Sequence, residues 1–599
     1  MSSLLFYEYG LSKPAGLPFI STWKTDNVST GSSTASQVKL PLISSGTYAF
    51  TVDWGDGSTN YITSYNQAQT LHTYTSSGNY TITITGICKG WRFANAGDRL
   101  KILSISSWGG LKLGTTEGAY FYGCANLDLS GVSDALNLDG TTSLASCFNS
   151  CTSIITVNKI NEWNISAVSD INSMFALVPS FNQNISMWNV SNVTNFASTF
   201  SGASTFNQNL SSWNVTKATS LASMFQNAVA FNNGESADIN NWILNTTANT
   251  NLSSIFYGAT SFNQPLNNWN TVAVTNMSFM FRGTKLFNQP LNNWNTSAVT
   301  NMAGMFYDAT AFNQDVNIWN TGAVTNMSYM FYNALLFNQP LNSWNTSAVT
   351  NMSNMFTLAR VFNQSLSNWN TSAVTNMSGM FNVASAFNQN LSSWDVSKVT
   401  NFQSMFGSAI AFANGGSPDI NNWTLNTSNP VNISYMFQSA FAFNQPLNNW
   451  NTSSVTDMSA MFNGNSIFNQ PLNNWNTSAV KDMSFTFSNA NSFNQPLNNW
   501  NTSSVTNMNN MFGYAASFNQ NIGMWNVSNV LDFGGFMSGR SPYLSPANLD
   551  AIYNGWSSRP VQPGITITFS FNKRTSASDT GKAILTGSPN NWVITDGGI

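Results

Sequence analysis

The sequence predicts a repeat solenoid of about 17 coils, each a short strand, a turn and a short helix, set between two unlike ends. Three observations predict it. Tryptophan recurs at a fixed spacing, other apolar residues hold fixed places between one tryptophan and the next, and only 7% of 599 residues are charged while 14% are aromatic. Soluble proteins ordinarily carry about 25% charged residues, so this surface must be built from Asn, Ser and Thr. With 43 Phe and 21 Trp, the chain is also far too apolar to be disordered.

The first 17 residues match neither of the modules that follow and read as an anchoring or docking peptide or as a flexible terminus. They lack a basic segment, a long apolar run and a small-residue cleavage site, so no secretory signal is expected there. Over residues 18–87 the texture is strand and turn: Thr51-Val-Asp53-Trp54-Gly-Asp56-Gly57-Ser, Leu71-His72-Thr-Tyr74 and the alternating run from Tyr80 to Thr85. These segments resemble a PKD domain through W-G-D-G-S and H-x-Y-x-x-x-G-x-Y. The resemblance implies an Ig-like β-sandwich that spaces or presents its neighbours.

Residues 88–155 read as irregular first coils, and 156–536 as the regular array. Trp recurs at 163, 188, 213, 242, 269, 294, 319, 344, 369, 394, 423, 450, 475, 500 and 525, every 25 residues except where the spacing twice runs 29 then 27. In a well-formed unit, Phe287, Leu291 and Trp294 suit a short extended segment broken by Pro290. Val299, Met302, Met305, Phe306 and Ala309 fall at helical spacing, with Thr300 or Asn301 as the expected N-cap. A 25-residue unit cannot bury its own apolar face, so neighbours are expected to align Phe with Phe and Trp with Trp. The Asn pairs at 267–268, 292–293, 448–449, 473–474 and 498–499 are expected to bond amide to amide from coil to coil.

This unit resembles the BspA-like leucine-rich repeat of bacterial surface proteins, in its 25-residue form F-N-Q-x-[LI]-x-x-W-[DN]-T-S-x-V-T-N-M-S-x-M-F-x-x-A. The resemblance implies a leucine-rich-repeat-like solenoid with a surface role. Phe121 to Cys124 and Phe148 to Cys151 occupy the Met-Phe-x-x-Ala place in the looser coils. The Asp that commonly follows Trp is Asn in most units here, Asp395 being an exception, which weakens any acidic or calcium-assisted face. Residues 537–599 read as a C-terminal cap: Ser545 caps a helix with Pro546 at its first position, and the segment from Trp592 to Gly598 resembles the family's usual ending.

Composition also excludes functions. A net charge of −3 leaves no basic footprint for nucleic acid, and no apolar run reaches the roughly 20 residues of a membrane helix. With His72 the single histidine, a multi-histidine metal site is ruled out and a catalytic triad has one conceivable centre. Asp53, Asp56 and His72 are accounted for by the sandwich motif, with no nucleophile beside them. Four cysteines are too few for a disulfide scaffold; Cys124 and Cys151 share a repeat position, and with Cys147 they suit either buried thiols or a disulfide. The Trp row reads as core, against the alternative of a sugar-stacking platform. The Asn-x-Ser/Thr sequons follow from the repeat's composition and do not establish glycosylation.

What stands out are the two long spacings. Phe231-Asn-Asn233-Gly-Glu235-Ser-Ala-Asp238 and Phe412-Ala-Asn414-Gly-Gly416-Ser-Pro-Asp419 are near copies 181 residues apart, as a duplicated seven-coil block would leave them. Insertions of this kind map to one edge of a repeat array, which makes Asn233, Glu235, Asp238, Asn414 and Asp419 the candidate binding residues. Oxygen ligation of calcium is disfavoured because Gly416 replaces Glu235 in the second copy, so no metal and no cofactor is expected. Units as alike as 287–299 and 468–480 repeat one surface where a catalytic pocket needs unique groups. The expectation is a non-enzymatic surface adhesin or interaction protein, extracellular or on a particle surface, binding a cell-surface protein or glycan, without nucleic acid or membrane insertion. The alternative is a virion fibre or capsid-decorating protein held through its N-terminus, or a self-assembling surface-layer or sheath subunit.

Overall fold

The computed structural model describes residues 16–539 and 544–599, so the expected N-terminal peptide lies outside the described residues except for its last two positions. The chain divides into two compact units, Met1–Ala298 and Val299–Ile599.

The first unit opens with strands β1 (Phe19–Lys24), β2 (Gln37–Lys39), β3 (Leu42–Asp53), β4 (Thr59–Ile62), β5 (Leu71–Thr73), β6 (Asn79–Trp91), β7 (Ile102–Ser107) and β8 (Leu111–Lys112). Alternation decides the faces: Tyr48, Phe50 and Val52 of β3 and Ile82 and Ile84 of β6 are buried, with exposed or half-buried residues between them. The sheet runs β4-β3-β6-β1-β7, with β8 on β6, while β2 and β5 form a separate antiparallel pair. Gly86 faces Phe50 at a φ of 119°, where a Cβ would lie 2.5 Å from Ala49 O. The expected Ig-like sandwich is therefore corrected to one six-stranded sheet that extends beyond position 87, plus a two-stranded pair.

The expected strand-plus-helix solenoid is also corrected. No 25-residue repeat contains an α-helix, and regular strands among the described repeats are confined to β9 (Thr250–Asn251) with β10 (Val274–Asn276) and β11 (Val431–Asn432) with β12 (Val455–Asp457). Elsewhere one Asn or Asp per repeat makes an isolated parallel bridge, as along Asn301, Asn326, Asn351, Asn376 and Asn401. The reason lies in the backbone. Gly304 and Asp308, Tyr329 and Asn333, and Asn354 and Leu358 have φ between 53° and 62°, so each repeat carries two left-handed residues four apart, and no helix tolerates that.

The amides left free by these kinks bond to the next repeat. Met302, Gly304, Phe306 and Asp308 N donate to Asn326, Ser328, Met330 and Tyr332 O at 2.8–3.1 Å, while Met305, Tyr307 and Ala309 N close turns onto the residue three before. Successive turns, not a helix, produce the apolar spacing of three and four. Asn301, expected as a helix cap, instead accepts from Ala303 N at 3.0 Å in a local turn.

Apolar positions align as the repeat requires. Phe306 lies 3.9 Å from Phe312 and 5.6 Å from Phe331, and Trp344 lies 6.4 Å from Trp319 and 6.3 Å from Trp369. The Trp row is core: Trp344 is 2% exposed, and its Nε1 donates to Val316 O at 2.9 Å. The amide-to-amide bonds expected beside Trp occur at Asn267–Asn292 and, at 3.4 Å, at Asn473–Asn498. A more regular column belongs to the Asn of Phe-Asn-Gln. Asn363 Oδ1 accepts from Asn388 N and Gln389 Nε2, while Asn363 N donates to Asn338 Oδ1, all at 2.9 Å.

At the C-terminal end the second unit carries α1 (Pro546–Ser557), β13 (Thr566–Thr568), α2 (Asp579–Thr586) and β14 (Val593–Thr595). Ser545 caps α1 by accepting from Asn548 N, with Pro546 at the first turn, as the sequence predicts. This end continues the repeat's bonding with new residues: Ser545 N and Asn548 Nδ2 donate to Asn519 Oδ1, and Trp556 Nε1 donates to Ile522 O.

Candidate functional site

Each insertion is pinned by one amide. After the buried ring of Phe231, Asn233, Gly234 and Glu235 all adopt φ between 55° and 65° and form a tight 3-10 turn. The Asn233 side chain is fully buried; its Oδ1 accepts from Leu210 N at 2.9 Å, and its Nδ2 donates to Ser211 Oγ and Ser236 O. Ser236 Oγ then accepts from Asp238 N and starts a second 3-10 turn, Ala237–Asn241. In the second unit Asn414 repeats this construction with Leu391 N at 2.8 Å, Ser392 Oγ and Ser417 O, and Ser417 Oγ caps Asp419 N.

Asn233 and Asn414, expected as contact residues, therefore have their amides committed to the chain's own backbone and hydroxyls, because an inserted loop must satisfy its polar groups where it leaves the core. Glu235, Asp238 and Asp419 are exposed. Glu235 Oε2 accepts from Asn232 Nδ2 at 2.6 Å, and the second loop lacks both partners, having Ala413 and Gly416 in their places. Asn233 Oδ1 accepts from Leu210 N, and among the described residues no three His, Cys, Asp or Glu side chains converge. Beside the first loop lies a shallow cleft of about 400 Å³ lined by Asn184, Ser186, Gln208, Asn209, Ser211 and Ser212, all amides and hydroxyls.

The carboxylate–imidazole group of the N-terminal sheet is local architecture. His72 stacks on Trp54 at 4.7 Å and 10°, and its Nε2 lies 2.8 Å from Asp56 Oδ2. Asp53 Oδ1 accepts from Gly55 N, and Asp56 Oδ1 accepts from Ser58 N and Oγ, which together shape the Gly-Asp-Gly turn. Burial would raise the Asp56 carboxyl, but hydrogen bonds from Ser58 and His72 outweigh it and hold it at about 2. Cys88, Cys124, Cys147 and Cys151 are free and buried; burial pushes all four thiols up, and Cys151 Sγ donates to Phe121 O. Such thiols are inert as nucleophiles.

The bonding pattern repeats through most of the chain, and so does its family signature. A family model described as "Mycoplasma protein of unknown function, DUF285" matches residues 142–249, 232–344, 336–450 and 431–545. The chain belongs to the DUF285 family. The four DUF285 matches overlap and together take in both insertions, ending at Ser545, the cap of α1. Residues 18–87 lie outside them, and they carry neither a PKD nor a specifically BspA-like assignment. A search of the curated proteins gives no match. The protein is thus a repeat protein of a family whose function is unknown, and no described helix is long and apolar enough to cross a membrane.

One surface departs from the DUF285 repeat pattern in a way the motif does not reveal. In two successive repeats of the second unit, Tyr307 and Tyr332 stack at 4.3 Å and 8°, and Tyr329 lies across them at 6.0 Å from Tyr332 with a 45° tilt. The signal available in the sequence is the loss of small residues: the next repeats carry Asn354 and Thr357, then Gly379 and Asn382, at the places of Tyr329 and Tyr332.

Proposed function

We propose that this chain is a non-enzymatic adhesin or interaction protein that displays a repeated, nearly uncharged face on a cell or particle surface, where it binds cell-surface proteins or glycans. The observation that carries this is the repetition itself. Units such as 287–299 and 468–480 are identical in sequence, and their hydrogen-bonding groups serve neighbouring repeats. Weak contacts to such a face add through effective concentration. The shifted carboxylates Asp56, Glu117, Asp395, Asp550 and Asp596 are each held by hydrogen bonds from nearby hydroxyls, amides or a charged side chain. The BspA-like form of the repeat and the PKD-like motifs of 18–87 support the same reading. The exposed acids of the two loops, Glu235, Asp238 and Asp419, are its charged contact points.

The test is retention of labelled, purified protein on a panel of bacterial and animal cells and on a glycan array. Saturable binding is expected, weakened when the loop acids are neutralised together. Protein that binds no surface, and instead forms ordered polymers or co-purifies with virus-like particles, would replace the adhesin with the structural alternative.

A further inference from the structure

We infer that Tyr307, Tyr329 and Tyr332, with Asp308 and Asn333, form a docking site for a neutral pyranose oligosaccharide. The inference rests on the adhesive reading above and gives it one ligand class and one place.

Three observations lead there. The first is backbone conformation. Tyr329 has a φ of 59°, a region that bulky residues rarely adopt; the same repeat position is Gly304, Asn354 and Gly379 in the neighbouring repeats, and it is aromatic and left-handed again at Phe279, Tyr435 and Phe485. The ring is 37% exposed, so it does little for the core. What singles out Tyr329 among these aromatic residues is its pair of tyrosine neighbours, Tyr307 at 6.2 Å and Tyr332 at 6.0 Å. The second is shape. The stacked pair Tyr307–Tyr332 and the ring of Tyr329, tilted by 37° and 45° to its two neighbours, present two aromatic planes at an angle. Such planes suit the C–H face of a pyranose and the edge of the next residue in a chain.

The third is the polar group alongside. Asp308 and Asn333 directly follow Tyr307 and Tyr332, and Asn333 Nδ2 donates to Asp308 Oδ1 at 2.6 Å. A carboxylate tied to an amide is held in place, with its second oxygen available to accept from adjacent sugar hydroxyls. Asp308 is the one formal charge in the group, so an acidic glycan would be repelled and a neutral one accepted. The cluster is also local. Among the repeats of the second unit, only that of Tyr329 and Tyr332 has aromatic residues at both places, which separates it from the uniform surface around it.

The experiment titrates cellotetraose, chitotetraose and maltotetraose into the whole protein by calorimetry and saturation-transfer NMR. The variant is Tyr329→Asn with Tyr332→Thr, residues that the following repeat already carries at these positions, and Asp308→Ala is measured beside it. Phe485→Asn, which removes an exposed left-handed aromatic from a distant repeat, is the control. Binding of at least one oligosaccharide is expected, weakened about tenfold or more by the double tyrosine variant and by Asp308→Ala, and unchanged in the control. Melting of the double variant should equal or exceed that of the wild type. Oligosaccharide binding that survives the double variant, or wild-type protein that adheres to cells but takes none of the three sugars, overturns the site and leaves adhesion standing. Failure to bind either cells or sugars overturns both.

Discussion

In the N-terminal sheet region the Lys101 ammonium is fully enclosed. It donates to Ser33, Thr34 and Gln37 carbonyls at 2.8–2.9 Å, with Asp98 3.6 Å away. In the repeats the enclosed polar groups are neutral, as at the buried Asn233 and Asn414; the exposed Asn363 hands its amide oxygen to the following unit, and the Trp344 and Trp369 indoles donate to carbonyls of the preceding repeat. The first arrangement uses partners found once in the chain. The second uses the same partners many times, and that disfavours charge, although Asp457 and Asp482 stand at the aligned bridge position of successive repeats. Like charges about 5 Å apart, the spacing of aligned strands, repel by about 3 kcal/mol at an effective dielectric near 20, and the penalty would recur at every repeat. An amide carries donor and acceptor together and can bond to its own copy. The low charge of the sequence suits this geometry: the Lys101–Asp98 pair lies before the repeats and Lys582–Asp596 after them, while Lys159–Glu162 is a solvent-exposed pair at the start of the array.

The largest test removes one member of a neutral column. Trp344→Ala in mid-array deletes a ring packed between Trp319 and Trp369 and removes one of the two donors to Val316 O, which keeps Trp319 N at 3.1 Å. A local loss of about 4 kcal/mol is expected from the cavity. Urea melts and region-resolved hydrogen exchange should place it in the second unit. A loss below 1 kcal/mol would mean that the column tolerates gaps and that the contrast with the N-terminal network is overdrawn.

The positions of that column were legible beforehand. Phe, Leu, Trp, Val and Met of the repeat are buried in unit after unit because a 25-residue period can bury only its apolar places. Helix in the Met-x-x-Met-Phe segment was the misleading inference, since spacing of three and four is shared by helices and by successive turns. What separates them is the Gly, Asn, Asp and Ser content at the two left-handed positions, visible at Gly304 and Asp308 and at Gly379 but blurred by Tyr329 and Leu358. The candidate loops were located by their broken spacing. That Asn233 and Asn414 turn inward could not be read, since a loop asparagine looks the same whether it caps the core or meets a ligand. The tyrosine cluster escaped because the repeat consensus treats its places as variable.

A smaller effect belongs to the charged network. Asp98→Ala removes the carboxylate that accepts from Ser33 N, Ser33 Oγ and Lys39 N, and it leaves Lys101 enclosed without its counter-ion. A loss of about 3 kcal/mol is expected, as for breaking one side of a buried pair, and it should appear in exchange of the first unit's sheet. Double replacement with Lys101→Met should recover part of it, because the uncompensated ammonium is then gone. No recovery would show that the Asp98 hydrogen bonds, and not the charge, hold the loop.

Acid gives the smallest effect and divides the regions most cleanly. The Asp56 carboxyl is held at about 2 against an ordinary 3.8, since the hydrogen bonds from Ser58 and His72 outweigh the effect of burial. A folded value below the unfolded one means stability that is fully present above pH 4 and is lost as the pH falls from about 4 through about 2. Partly exposed to solvent, the group should contribute about 1 kcal/mol. Calorimetric melts of wild type and Asp56→Asn should therefore differ at pH 5, with the gap shrinking through pH 2 and closing near about pH 1. Asn363→Ala, which removes a neutral amide from the repeat column, should cost the same at both pH values. A convergence seen for Asn363 as well, or a pH-independent gap for Asp56, would mean that both regions respond to acid through shared unfolding, and the assignment of titratable stability to the N-terminal turn would fall.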